Sequence, residues 1–258
     1  QKAAIREKAE QEMTASISSG IRQVAQYRSE VAQQRARTVI PVAALKRRAK
    51  ENPQARAAEA DELVVQLLRW FKCEFFTWVD TLPCQRCNGP TTNTGMTPPT
   101  PEEINNGAAR VEVHTCQACP GGRDTRFPRY TNPSRLLETR RGRCGEWANC
   151  FTLCCIAMGY EARWIHDHTD HVWTEVWSTA QGKWVMCDPC EEAYDQPLMY
   201  EGGWGKQLNY IFGFSQYEVR DLARKYTSNY SDVLTRRTKV GEDFLAAMVD
   251  GFHQAQLR

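Results

Sequence analysis

Residues 143–158 read RCGEWANCFTLCCIAM, and this stretch decides the fold. Its larger side chains recur three or four positions apart, a spacing that predicts a helix: Trp147, Phe151, Cys154, Cys155 and Met158. Cys144 precedes them and is expected at or near the N-terminus of that helix. There the helix dipole and the N–H groups stabilise an anion, and they can lower a cysteine pKa to roughly 3.5–7.5. The stretch therefore predicts a reactive thiolate at Cys144.

Two alternating stretches downstream predict a β-hairpin. Residues 171–177 and 183–187 alternate in the manner of strands, and residues 178–182 form the turn between them. If the strands pair about that five-residue loop, the numbers of facing residues add to about 360. His171 then faces residue 188 or 189 and lies within reach of Asp188. A register shift of one residue is the alternative.

Cys144, His171 and Asp188 follow one another at separations of 27 and 17 positions. These residue types supply a thiolate nucleophile, its base, and the group that orients the base. Together they predict an acyl-transfer enzyme. Taken singly, each has a structural alternative: a buried cysteine, a surface histidine and an aspartate that opens a turn. His166 and His168, in the segment before the strand, are alternative bases.

Four cysteines form two Cys-x-x-Cys hooks separated by 28 residues: Cys84, Cys87, Cys116 and Cys119. Two such hooks can surround one tetrahedral ion with four thiolates, which leaves no open position and predicts a structural Zn²⁺. The alternative is a pair of redox dithiols or disulfides. His114 is expected to be a bystander, and the Thr/Pro-rich segment 91–101 is expected to be a mobile loop.

Composition narrows the class of protein. The chain has 258 residues, 41% of them apolar and 25% charged, which is enough for a globular core. Its net charge is +2, and its basic residues form only short clusters, without the concentrated basic face of a nucleic-acid binder. No apolar run approaches the ~20 residues of a membrane span. An odd count of eleven cysteines, several with other roles, indicates a reducing, intracellular compartment. The polar start without Met indicates a piece of a longer protein.

The sequence predicts three parts. Residues 1–58 form a helical N-terminal arm, which either packs on its own domain or binds a partner. Residues 84–122 form the zinc-binding insert. Residues 59–83 and 123–258 form the catalytic core, which begins with a buried helix at 59–80 that is apolar nearly all round.

Four motifs together resemble the cytosolic peptide:N-glycanases of the transglutaminase-like superfamily: residues 143–151 (RCGEWANCF), 171–176 (HVWTEV), 187–191 (CDPCE) and 203–206 (GWGK). The resemblance runs from about residue 63 to residue 210. It implies an α+β fold with a papain/transglutaminase-like core, in which the nucleophile helix packs on an antiparallel sheet, and it includes the zinc insert and the helical termini.

The resemblance also implies a function. These enzymes are peptide-N4-(N-acetyl-beta-glucosaminyl)asparagine amidases, which cleave N-glycans from misfolded glycoproteins during endoplasmic-reticulum-associated degradation. It implies a cytoplasmic location, with the nucleus as a second one. It further implies a ubiquitin-receptor shuttle protein as a partner, bound through the terminal helices. From charge and composition we expect neither nucleic acid nor a membrane as a partner.

Carried over by motif, the catalytic residues are Cys144, His171 and Asp188. The substrate-binding residues are Trp78, Trp173, Glu175, Trp184 and Glu191. Aromatic faces suit sugar rings, and carboxylates accept hydrogen bonds from hydroxyl groups; the alternative for Trp173 and Trp184 is ordinary sheet core. Arg163 matches a family position and is equally explained as an ion-pair partner.

Two other functions stay open at this stage. One is a transglutaminase or cysteine protease on the same core. The other is a non-catalytic module that binds unfolded glycoproteins.

Overall fold

The computed structural model describes residues 2–56 and 58–257. Its N-terminal part consists of three helices: α1 (Lys2–Ala25), α2 (Glu30–Val39) and α3 (Val42–Glu51). A 3₁₀ turn at Gln26–Arg28 joins the first two. Ser29 caps α2, because its side chain accepts a hydrogen bond from the N–H of Ala32.

Of the two alternatives for the arm, packing on its own domain is what the structure shows. Met13, Ile17 and Val24 of α1 are buried in the main core. A Cβ at Gly20 would lie 2.4 Å from the ring of Phe214, so only glycine allows this close approach.

The next helix, α4 (Glu59–Trp70), continues as a π-helical turn at Phe71–Phe75 and is followed by strand β1 (Thr77–Trp78). The prediction of a helix over 59–80 was therefore wrong at its C-terminal end. Phe76 has extended backbone angles, because the chain leaves the helix to pair β1 in parallel with residues 141–142.

The insert is built on a three-stranded antiparallel sheet. It comprises β2 (Thr91–Thr97), the short helix α5 (Pro101–Asn105), β3 (Ala108–Cys116) and β4 (Asp124–Tyr130), with β3 in the centre. The segment expected to be a mobile loop is thus largely strand, held by ladder bonds to β3 and by a 2.7 Å hydrogen bond between the hydroxyls of Thr94 and Thr115. The sheet continues to Tyr130, past residue 122, where the sequence places the end of the insert.

The rest of the chain builds the main core. It contains α6 (Pro133–Thr139), β5 (Arg141–Gly142), α7 (Cys144–Ala157), β6 (Ala162–Asp167), β7 (His171–Ser178), β8 (Lys183–Asp188), β9 (Ala193–Tyr194), β10 (Ile211–Phe214), β11 (Val219–Asp221), α8 (Tyr230–Arg236) and α9 (Glu242–Gln256). A π-helical turn at Met199–Gly203 and a 3₁₀ turn at Ala223–Tyr226 lie between these elements.

Strands β6 to β11 form one antiparallel sheet in the order β11-β10-β6-β7-β8-β9 within the described residues. Helix α7 packs across its centre, where the hydroxyls of Thr152 and Thr174 lie 2.8 Å apart. Phe151, Cys154 and Cys155 of α7 have no exposed surface. The predicted α+β class, with the nucleophile helix on an antiparallel sheet, is confirmed.

In the part of the chain that the structure describes, no helix is both long and apolar enough to cross a bilayer.

Candidate active site

The nucleophile occupies the first position of α7, as the sequence predicts. Cys144 is half-buried, and the N–H groups of this first turn have no intrahelical acceptor. The backbone N–H of Arg143 donates to Oε2 of Glu146 at 2.9 Å, which caps the helix. Apart from its chain neighbours and the backbone of its own helix, no atom lies within 4 Å of a Cβ built on Gly145, so the space beside the nucleophile is open.

Two arginines fix the start of α7 to the insert. The guanidinium of Arg143 donates to Glu112 at 2.9 and 2.7 Å. That of Arg129 donates to Glu112 at 2.9 Å and to Glu146 at 2.6 and 2.9 Å. Burial alone would raise the pKa of Glu112, but hydrogen bonds from Arg143, His114 and Arg129 lower it to about 2. The residue before the nucleophile is therefore held by a charged carboxylate on β3.

The base and its orienting group meet at the open end of the β7–β8 hairpin. Nε2 of His171 lies 2.8 Å from Oδ2 of Asp188, and both side chains are buried. The numbers of facing residues add to 361, as the pair Thr174 and Cys187 shows. The predicted sum of about 360 was therefore one too low. The two side chains meet as a diagonal pair, not as a facing one.

The imidazole of His171 lies between Asp188 and Cys144. Burial alone would lower the pKa of His171, but the hydrogen bonds and charges of Asp188 and Cys144 outweigh it and raise the pKa to about 9. Because Nε2 is bound to Asp188, Nδ1 is the nitrogen that remains for the thiol. This geometry favours an imidazolium paired with a thiolate.

The alternative bases lie elsewhere. Nε2 of His168 lies 3.1 Å from the hydroxyl of Ser16 on α1, and burial lowers the pKa of His168 to about 4. His166 stacks on Trp164, with ring centroids 5.6 Å apart, and burial lowers its pKa as well.

A groove with a cavity of about 520 Å³ is lined by residues of the segment 72–78, by Trp147 of the nucleophile helix and by residues 190–191. Its lining includes Trp147, one turn after Cys144, and Cys190, whose N–H donates to Asp188 at 2.9 Å. Trp78 and Glu191, two predicted substrate-binding residues, line the same groove. Trp78 is 45% exposed, so its indole offers an accessible face.

The four cysteines of the hooks converge. Their sulfur atoms all lie within 4.8 Å of one another, with Sγ–Sγ distances of 3.9 Å between Cys84 and Cys119 and 3.6 Å between Cys87 and Cys116. A disulfide needs about 2.05 Å, whereas four thiolates around one ion at about 2.3 Å lie about 3.8 Å apart. The spacing fits a metal site, and none of the four cysteines is paired in a disulfide.

His114 is not among the four converging groups. Its Nδ1 accepts a hydrogen bond of 2.8 Å from the N–H of Leu82, and Nε2 lies 3.3 Å from Glu112. It takes no part in the metal site, as predicted. Its two hydrogen bonds link the chain just before the first hook to the Glu112 cluster, which consists of Glu112, Arg129, Arg143 and Glu146.

Comparisons with known proteins identify the family. Residues 90–189 match the model of the transglutaminase-like superfamily, and residues 165–257 match the Rad4 transglutaminase-like domain. The chain is 47% identical over 92% of its length to the peptide-N(4)-(N-acetyl-beta-glucosaminyl)asparagine amidase of Mus musculus, and 45% identical over 87% to that of Arabidopsis thaliana. It belongs to the peptide:N-glycanase family of the transglutaminase-like superfamily. The chain spans 38% of the mouse protein and 32% of the plant protein.

Solved structures agree on the fold. A crystal structure of Rad4-Rad23 bound to a 6-4 photoproduct UV lesion superposes with a TM-score of 0.62 and 14% identity, covering 98% of this chain and 56% of that one. At this identity the likeness shows the fold alone.

Of the residues carried over from the family motifs, Trp173, Glu175 and Trp184 do not line the groove. Trp173 and Glu175 have no exposed surface. Glu175 accepts hydrogen bonds from Arg163 at 2.5 Å, from Lys225 at 2.6 Å and from the hydroxyl of Tyr226. The prediction that these two side chains touch the substrate does not fit their positions, because both faces of β7 are covered.

Trp173 and Glu175 are instead part of the buried structure that supports the active site. The charges of Arg163 and Lys225 outweigh the effect of burial and lower the pKa of Glu175, so it stays ionised. The indole N–H of Trp173 donates to Tyr226 at 2.8 Å, and its ring lies 5.7 Å from that of His171. Arg163 is thus an ion-pair partner, and it also stacks 4.2 Å from the ring of the half-buried Trp184.

Trp204 was missing from the predicted site residues. Its ring centroid lies 5.0 Å from that of His171, and it is 44% exposed. A tryptophan between Gly203 and Gly205, inside a family motif, is the signal that would have identified it.

Proposed function

We propose that this chain is the catalytic core of an amidase that hydrolyses the bond between the asparagine side chain and the first N-acetylglucosamine of an N-glycan. One observation carries this function. Cys144, at the N-terminus of α7, lies beside the His171–Asp188 pair, in a chain whose relatives are named for this activity.

The first chemical step forms an acyl-enzyme. The Cys144 thiolate attacks the side-chain carbonyl carbon of the glycosylated asparagine, and the N–H groups at the start of α7 stabilise the oxyanion. His171 then donates its proton to the amide nitrogen, the C–N bond breaks, and the glycan leaves as a glycosylamine. Asp188 keeps the imidazole oriented throughout and stabilises its charge whenever it is protonated.

Water completes the reaction. His171, now neutral, accepts a proton from a water molecule that attacks the thioester carbonyl. The C–S bond breaks, the thiolate is regenerated, and the asparagine has become an aspartate. The open space beside Gly145 gives the acyl group and the water access to Cys144.

The groove would hold the sugar. The exposed indoles of Trp78 and Trp204 offer apolar faces for a pyranose ring, and the carboxylate of Glu191 offers acceptors for hydroxyl groups. Trp184 is half-buried and does not line the groove, so it stays a proposed contact from the family motif alone.

The metal of the four-cysteine site is proposed to be Zn²⁺. Four thiolates leave no position for water or substrate, so the ion would stabilise the insert and take no part in the reaction. Cys84, Cys87, Cys116 and Cys119 would hold it.

The cellular role is proposed from the family motifs. The substrates would be misfolded glycoproteins in endoplasmic-reticulum-associated degradation, in the cytoplasm and also the nucleus. A ubiquitin-receptor shuttle protein would bind the terminal helices, where Ile5 and Leu257 are 64% and 59% exposed.

The test is an assay of a denatured N-glycoprotein in H₂¹⁸O, read by mass spectrometry of the peptides. We expect wild type to convert glycosylated asparagine to aspartate carrying one ¹⁸O, and Cys144→Ala to leave the glycan in place. Wild-type release from Cys144→Ala would overturn the mechanism. A cross-linked peptide, a cut backbone, or binding without turnover would instead indicate a transglutaminase, a protease or a binding module.

A further inference from the structure

The hydroxyl of Tyr200 contacts the group that orients the base. Tyr200 lies in the π-helical turn Met199–Gly203 and has no exposed surface. Its hydroxyl donates to Oδ2 of Asp188 at 2.7 Å, and this is the same oxygen that lies 2.8 Å from Nε2 of His171. One carboxylate oxygen therefore serves both the phenol and the imidazole.

The ring of Tyr200 also packs on the base itself. Its centroid lies 5.2 Å from that of His171 in an edge-to-face arrangement, 4.4 Å from Trp173 and 5.1 Å from Trp204. Its carbonyl accepts from the N–H of Lys206 at 2.9 Å. These contacts fix the Tyr200 ring and direct its hydroxyl toward the carboxylate of Asp188, which indicates a role beyond filling space in the core.

We propose that Tyr200 is a positioning residue that withdraws charge from Asp188 and so limits how tightly His171 holds its proton. This role rests on the proposed function, in which His171 must give a proton to the leaving nitrogen. A general acid works best when its proton affinity is close to the working pH. Burial and the charge of Asp188 raise the pKa of the phenol, so Tyr200 stays protonated and remains a donor.

Removing the hydroxyl of Tyr200 should shift the pH dependence of glycan release in one defined direction. In Tyr200→Phe, Oδ1 of Asp188 still accepts a hydrogen bond from the N–H of Cys190, and Oδ2 still pairs with His171. Because Oδ2 no longer accepts from a phenol, more of the negative charge of Asp188 acts on His171. The imidazolium is then bound more tightly, so the alkaline limb of kcat/KM for glycan release moves to higher pH, by about half a pH unit for one lost hydrogen bond. We expect kcat to fall several-fold, because the proton is harder to transfer.

Tyr210→Phe is the matched control. Tyr210 is also fully buried, and its hydroxyl accepts from the N–H of Lys239 at 3.1 Å, away from Asp188. We expect its pH profile to match wild type whatever its melting temperature does. Substituting 3-fluorotyrosine at position 200, a more acidic and stronger donor, moves the alkaline limb the other way.

A second readout is independent of the glycan. The rate at which iodoacetamide alkylates Cys144 also responds to the loss of the neighbouring imidazolium, since that proton changes the reactivity of the thiolate. In Tyr200→Phe the alkaline step of this alkylation profile, like that of glycan release, moves to higher pH. An unshifted profile, or a shift of the opposite sign, in both assays overturns the role of Tyr200. Absence of glycan release from wild type, together with the expected alkylation shift, overturns the proposed function and leaves the role of Tyr200 standing.

Discussion

Glu112 on the insert and Arg143 beside the nucleophile form a two-pronged ion pair, with N–O distances of 2.9 and 2.7 Å. The same guanidinium donates to the carbonyl oxygens of Val79 and Asp80, each at 3.0 Å. The insert strand that leads to Cys116 therefore sets the position of the residue that precedes Cys144.

Replacing Glu112 with glutamine should loosen that position. The variant leaves Arg143 and Arg129 with an uncharged partner in a buried setting, where losing one member of an ion pair costs about 3 kcal/mol. We expect a lower melting temperature and a loss of kcat greater than any change in KM. Steady-state kinetics and thermal unfolding measure both. Glu102→Gln, at an exposed position on α5, is the control and should change neither; wild-type kcat in Glu112→Gln would contradict the coupling.

Gly142 allows Glu146 to fold back over the helix start. A Cβ at this position would lie 2.3 Å from Cβ of Glu146. Gly142→Ala should therefore displace the first turn of α7, reduce stability by about 1–3 kcal/mol and slow alkylation of Cys144. Urea denaturation and iodoacetamide kinetics test this. Gly251→Ala on α9, where a Cβ meets nothing within 4 Å, should be neutral or slightly stabilising.

Metal removal should unfold the insert first. Binding to four thiolates contributes directly to folding free energy, and the first hook is joined to the Glu112 cluster through His114. We expect complete chelation to lower the melting temperature and slow alkylation of Cys144, and elemental analysis to find about one zinc per chain. Cys84→Ser should lose the metal, whereas Cys73→Ser, an exposed cysteine outside the cluster, should keep it. Unchanged stability after full chelation would count against the site.

The sequence predicted the features that depend on local spacing. The start of α7 at Cys144, the hairpin ending at Asp188 and the convergence of the two cysteine hooks all follow from short patterns. The positions of Trp173 and Glu175 could not be predicted that way. An alternating strand is expected to expose one face, but β7 lies inside the sheet and is covered on both, with the charge of Glu175 compensated by Arg163 and Lys225. Those partners lie far away in the sequence, so no local pattern reveals them. Tyr200 was missed for the same reason, whereas Trp204 lies in a short motif that could have identified it.

Because folding raises the pKa of His171, the free energy of unfolding should depend on pH. Its folded value of about 9 lies above an unfolded value of about 6.5. A group whose pKa is raised by folding stabilises fully below the unfolded value, and this stabilisation is lost as pH rises through the folded one. We therefore expect the free energy of unfolding to fall between pH 6.5 and 9, by on the order of 3 kcal/mol, and glycan release to decline near pH 9.

Urea denaturation of wild type and His171→Gln across this range isolates the contribution, which the variant should lack. His168→Gln is the matched control. Burial lowers the pKa of His168 to about 4, so above about pH 7.5 that imidazole is neutral in both states and its removal leaves the slope unchanged there. Equal slopes in wild type and His171→Gln would mean that His171 is not held as an imidazolium, and that the thiolate of Cys144 lacks the partner on which its reactivity depends.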